Sequence, residues 1–149
     1  MSDIPSSSWV TVAEAAERAG VDSGTIRQWY RSGKLPTRAQ MEEMITSPAT
    51  QLLVARSDGK IIGVLMLVLF RIPTGLRAWI EDVVVDGDAR GKGAGEALTR
   101  AAVASAMERG ARTVDLTSRP SREAANRLYQ RVGFKLRETN FYRYETPKS

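Results

Sequence analysis

The sequence predicts a mixed α/β fold built on a mostly antiparallel, twisted sheet with flanking helices. Three features carry that expectation. Apolar runs separated by tight-turn residues fill the chain from about residue 50, helical patterns alternate with strands after the third run, and glycines stand where helices should begin or end.

The elements follow in order. "QLLVAR", the turn "SDGK" and "IIGVLMLVLF" read as a hairpin, with Asp58-Gly59 supplying the tight turn. "RIPTG" turns the chain into a third strand, "LRAWIEDVVV". A glycine loop, "DARGKGAG", then opens a helix from Gly93 to Arg109 that Gly110 stops. "RTVDLTS" is a short strand. In "SREAANRLYQRVGF", Ala125, Leu128, Tyr129 and Val132 fall at i, i+3, i+4 and i+7, the spacing of one helix face, and Gly133 ends it. "FKLRE" and "NFYRYE" close the chain as two strands. The order βββαβαββ implies at least one parallel crossover.

Composition narrows the chemistry. At 149 residues and 42% hydrophobic, the chain is long enough for one domain with a core and a small appendage. No 18-residue apolar run occurs, and "MSDIPSSSWV" has neither the basic start nor the apolar centre of an export signal, so the default location is the cytoplasm, with no membrane partner. Zero cysteine and zero histidine exclude disulfides, thiol nucleophiles, histidine triads and ordinary zinc sites, and no metal site is expected. Chemistry must then use carboxylates, tyrosine, serine or backbone. The net charge of +5 suits an anionic partner. Its distribution matters more: residues 1–40 hold five Lys/Arg against four Asp/Glu, a balance of +1, so the excess lies in the rest of the chain. A compact phosphorylated ligand fits that pattern as well as a polymer.

The glycine loop sits where a strand gives way to a helix. Backbone N–H groups at a helix N-terminus lack partners and lie at the positive end of the dipole, so such a loop binds anionic oxygens, and glycine lets the backbone approach them closely. An ordinary strand-to-helix turn is the alternative. The Walker pattern G-x4-G-K-[ST] is absent.

"RGKGAG", Arg90 to Gly95, matches the [QR]-x-x-G-x-[GA] acetyl-CoA motif, and "AANRLYQRVGF" is similar to N-x-x-[LAF]-Y-x-x-x-G-F, with Asn126, Tyr129, Gly133 and Phe134 in register. On these two motifs, residues 38–147 resemble the GCN5-related N-acetyltransferases, the GNAT superfamily. The resemblance implies a domain over 38–149 that binds acetyl-CoA (coenzyme A). The loop amides of Arg90, Gly91, Lys92, Gly93, Ala94 and Gly95 would hold its pyrophosphate, and the backbone of Val83, Val84 and Val85 would pair with its pantetheine arm. "VDLTS" would splay from the preceding strand to admit that arm. Asn126 would contact it, and Tyr129 would sit near the sulfur as general acid, although helical spacing alone would make Tyr129 a core aromatic.

The resemblance further implies direct attack of a primary amine on the acetyl thioester, which needs a deprotonated amine and a stabilised thiolate. Glu81 and Asp82 are candidates for the first task. Strand alternation puts them on opposite faces, and Glu81 is favoured, directly or through water; the alternative is that either caps a loop or pairs with Arg77.

Residues 1–37 read differently. "TVAEAAERAG" and "DSGTIRQWYRSG" form two short helical patterns, with Ala16, Gly20 and Ile26 in a spacing that packs helices closely at a glycine turn. The segment resembles the helix-turn-helix of MerR-like and excisionase-like proteins, in place of the strand and helix that open a GNAT domain. A recognition helix would face DNA with Thr25, Arg27, Gln28 and Arg31. Near-neutral charge and the helix-weakening Gly24 favour a packing role, and DNA is not the expected partner. "SWVTV" could alternatively supply the first strand. The join at Leu35 to Arg38 looks like a splice of two families, natural or engineered. Three functions follow: an N-acetyltransferase or a cofactor-binding relic of one, a DNA-binding regulator with a coenzyme A sensor, or a folded chimera with neither activity. A lost edge strand would leave a sheet edge inclined to pair with a second copy as a homodimer.

Overall fold

The computed structural model describes residues 38–147. Helix α1 (Arg38–Thr46) leads into β1 (Thr50–Ser57), β2 (Lys60–Ile72) and β3 (Gly75–Val85). A single 3-10 turn (Gly87–Ala89) precedes α2 (Ala94–Glu108), and β4 (Val114–Asp115) and α3 (Glu123–Val132) follow. Among the described residues the sheet has four strands in the order β1-β2-β3-β4. Only the last pair is parallel, so the crossover falls between β3 and β4. The mixed, mostly antiparallel sheet with flanking helices matches the expected fold class.

The β1-β2 hairpin closes as its sequence predicts. Asp58 and Gly59 both take positive φ, 50° and 76°, between the paired Ser57 and Lys60, which is the turn geometry that suits the strands' own twist. From there Leu65, Leu67 and Leu69 of β2 and Ala78 and Ile80 of β3 point to one face of the sheet. Helix α2 covers that face with Leu98, Ala102 and Ala106. Alanine at every fourth position keeps the helix close to the sheet, while each fully buried leucine or isoleucine contributes about 1.5–3 kcal/mol. At the far end of α2, Ser105 Oγ donates to Gln51 Oε1 at 2.6 Å and Arg109 Nη2 to the Pro48 carbonyl at 2.6 Å, tying this end to β1 and to the turn before it.

Three sequence expectations need correction. The strand read at 112–118 shrinks to Val114–Asp115, because only Ala78 and Trp79 of β3 remain in register with it. The two closing strands are absent: residues 134–147 form neither helix nor strand. Their residues have the propensity but no ladder to join, since β4 at the sheet's edge offers two residues, and Leu136, Tyr142 and Tyr144 lie in solvent. Finally, β3 is not regular. Val64 pairs with Val84 but Met66 pairs with Glu81, so Asp82 and Val83 oppose Leu65 alone. Asp82 takes φ 52° in this bulge, which breaks the simple alternation that was to separate it from Glu81. The helix-turn-helix reading of residues 1–37, the "SWVTV" strand and the boundary at 37/38 lie outside the described residues.

Candidate active site

Beyond Trp79 the edge of β3 that faced β4 has no ladder partner among the described residues. Ile80 to Val85 therefore border a split, and Val83, Val84 and Val85 stand half-buried along it while Val84 and Val85 pair on the other side with β2. The bulge at Asp82 falls on this stretch. Next, Asp86 closes the strand end: its amide donates to Ile62 O at 2.8 Å, and its Oδ1 accepts from the Asp88 amide at 3.1 Å to cap the 3-10 turn.

The glycine loop is the start of α2. Gly91 and Gly93 have φ of 76° and 84°, the left-handed region where a side chain is strained, and Gly93 is the N-cap. The first helical bond of the ladder runs from the Ala97 amide to Gly93 O at 2.9 Å. By helix geometry the amides of Ala94, Gly95 and Glu96 then lack intrahelical acceptors. Among the described residues, apart from the chain neighbours, a Cβ added at Gly91 or Gly93 would meet no atom within 4 Å. The loop is thus an open cradle of donors, and it fits a pyrophosphate. Arg90, Gly91, Lys92 and Gly93 are exposed. Lys92, Gly93 and Ala94 also border a shallow groove of about 430 Å3 against Arg56 and Ser57.

Gly95 has a different role. A Cβ there would stand 3.4 Å from Leu128 Cδ1 and 3.6 Å from Val85 Cγ2, ordinary contact distances, so Gly95 lies where the loop meets α3 and the end of β3. Arg131 Nε reaches Glu96 Oε2 at 3.0 Å and Arg100 holds Oε1 at 2.8 Å, fastening α3 beside the cradle. The bonds from Arg100 and Arg131 lower the Glu96 pKa. This contribution to docking is present above the ordinary carboxylate range and fades as pH falls through the lowered value.

Helix α3 places the other two candidates. Tyr129 is 7% exposed, and its ring meets Phe134 edge-on at 6.0 Å. Gly133 at φ 116° reverses the chain so that the Phe134 amide bonds Tyr129 O at 2.9 Å, which sets that ring pair. Burial raises the Tyr129 pKa, against a smaller opposing pull from Arg122, so the phenol keeps its proton. Asn126 Nδ2 donates to the Arg119 carbonyl at 3.0 Å, bracing the segment after β4. On β3, Glu81 is exposed and accepts from Trp79 Nε1 at 2.8 Å.

Sequence reasoning missed Glu96 and Ser118. The Ser118 hydroxyl is buried without a hydrogen-bond partner among the described residues. A lone serine carries no signal for this. Ser118→Ala is expected to leave the free protein as stable or more stable by up to about 1 kcal/mol, because an unsatisfied buried hydroxyl is a burden. Thermal unfolding checks it; a clear loss of stability would mean the hydroxyl has a partner.

The described residues thus bring an unpaired stretch of β3, a glycine-opened start of α2 and a buried tyrosine on α3 into one domain. The sequence profile of the acetyltransferase (GNAT) family matches residues 15–134, and the chain belongs to that family. An uncharacterized N-acetyltransferase of Mycobacterium tuberculosis is 32% identical over 110 residues, covering 70% of this chain and 65% of the relative. The chain therefore spans about 65% of the length of the curated relatives it matches. A transcriptional regulator from Bacillus halodurans is 27% identical with a TM-score of 0.71, over 91% of this chain and 96% of its own. Glucosamine-6-phosphate N-acetyltransferase from Arabidopsis thaliana shares the fold at 19% identity and a TM-score of 0.73, over 91% and 95%.

Proposed function

We propose that the chain is an acetyl-CoA-dependent N-acetyltransferase that acts on a primary amine by direct attack. The observation that carries this is the split beside Val83 to Val85 opening onto the donor cradle at Gly91 to Gly95. In this reading the loop amides and the positive helix end hold the cofactor's pyrophosphate, with Arg90 and Lys92 adding charge. The free edge of β3 pairs with the amide-bearing arm, and Asn126 holds the far wall in place. Bound acetyl-CoA would supply an activated acetyl thioester. Glu81 would take the ammonium proton at its carboxylate and release it to solvent, leaving a neutral amine to face the thioester. Tyr129, kept neutral by burial, would hold its hydroxyl proton for the sulfur, and the second proton that the nitrogen sheds on becoming an amide would restore the phenol.

Calorimetric titration with acetyl-CoA tests the reading. Binding at micromolar affinity, about −8 kcal/mol, is expected. No heat at high protein concentration would sink it.

The regulator reading predicts something else. A specific DNA complex needs a strongly basic interface, and residues 1–40 carry a balance of only +1. No sequence-specific complex is therefore expected at physiological salt. A mobility shift that survives moderate salt and disappears in Arg27→Ala would reverse that conclusion.

A further inference from the structure

We propose that Trp79, Glu81 and Phe141 form the acceptor site, and that it selects a primary amine carried on an aromatic or other apolar body. This rests on the N-acetyltransferase reading and names the acceptor class within it. Trp79 and Glu81 lie two residues apart on the sheet face turned away from α2, since Ala78 and Ile80 between and beside them are core. Their register partners on β2 are Val68 and Met66, both half-buried. The carboxylate thus stands at the edge of an apolar wall.

Two contacts complete the site. The indole N–H of Trp79 donates to Glu81 Oε1 at 2.8 Å, which orients the carboxylate and leaves its other oxygen for a cation. The Phe141 ring lies 6.5 Å from that of Trp79, tilted by 31°, and is 60% exposed. Two aromatic rings therefore meet at a corner beside a fixed negative charge. Ring faces attract cations, and Phe141 already draws one: the Arg143 guanidinium carbon sits 5.8 Å from its centroid.

That combination discriminates by chemistry. An ammonium finds charge at Glu81, and an apolar body next to it covers Trp79, Phe141, Met66 and Val68. A polyhydroxylated amine would press hydroxyls against the same surfaces without acceptors or donors to meet them, and each unpaired group is penalised. Phe141 belongs to the segment that folds back from α3 without joining the sheet, so a loop residue at a distance of 62 positions from Trp79 sets the specificity.

The test is calorimetric titration of the full chain with phenethylamine and with glucosamine 6-phosphate, each with and without saturating CoA, repeated for Phe141→Ala. Phenethylamine is expected to bind at least tenfold more tightly than glucosamine 6-phosphate. Phe141→Ala should remove most of that preference and leave acetyl-CoA affinity within twofold, because a ring that is 60% exposed contributes little to folding. Phenethylamine preference in a chain that gives no heat with acetyl-CoA would support this site and overturn the cofactor reading alone. Normal acetyl-CoA binding with equal or tighter binding of glucosamine 6-phosphate, or a preference that survives Phe141→Ala, would overturn the acceptor site.

Discussion

Gly93→Val is expected to weaken acetyl-CoA binding by about a hundredfold, roughly 2.7 kcal/mol, while the chain still folds. Gly93 sits at φ 84° as the N-cap of α2. Valine there has two penalties of different kinds. The left-handed conformation costs a residue with a Cβ about 1–2 kcal/mol, so unfolding should come at a somewhat lower temperature. The second penalty appears only with ligand. Among the described residues, apart from its chain neighbours, nothing lies within 4 Å of the added Cβ, so the new side chain occupies the open space of the cradle, where phosphate oxygens would have to come. If the strain relaxes, the Ala94 amide turns with it, and binding suffers again. Gly93→Ala should show the stability loss with a smaller loss of affinity. Calorimetry beside thermal unfolding separates the two terms. If Gly93→Val binds acetyl-CoA normally, the loop is only a turn.

The contrast between legible and illegible features follows from the range over which each is encoded. Helix α2 was bounded to within one residue because glycines stand at both its ends, and α3 was visible because Ala125, Leu128, Tyr129 and Val132 repeat at the helical period. The β1-β2 turn was visible in Asp58-Gly59. These are local signals. The bulge at Asp82 is not local, since it depends on how β3 must pair with β2 across Val64 and Met66, and a strand read by alternation misses it. The Glu96–Arg131 pair joins residues 35 positions apart, and neither residue stands out in the chain. The closing strands failed for the opposite reason. "FKLRE" and "NFYRYE" have genuine strand propensity, but propensity does not supply an edge to pair with. The glycine loop was readable as chemistry because phosphate binding needs only consecutive amides, whereas the corner formed by Trp79 and Phe141 exists only once the chain has folded back.

With an amine acceptor that supports turnover, Tyr129→Phe is expected to lower kcat by roughly a hundredfold or more and to leave acetyl-CoA affinity nearly constant. The substitution keeps the ring and its edge contact with Phe134, so packing at this buried position is retained. Only the hydroxyl goes. Burial raises the pKa of that hydroxyl, which makes it neutral over the whole working range, a state that can give a proton to a leaving thiolate. The same shift gives an independent check through stability. A folded-state pKa above the unfolded one contributes stability that is present below the ordinary tyrosine value and is lost as pH rises through the folded value. Tyr129→Phe should therefore flatten the fall in unfolding temperature at alkaline pH. Glu81→Gln should act differently, displacing the rate profile toward higher pH, where the amine sheds its proton unaided. Because the chain contains no cysteine, released CoA can be followed with a thiol reagent free of protein background, and slow turnover is measurable. A Tyr129→Phe chain with unchanged kcat, where chemistry limits the rate, would return Tyr129 to the core as a packing residue.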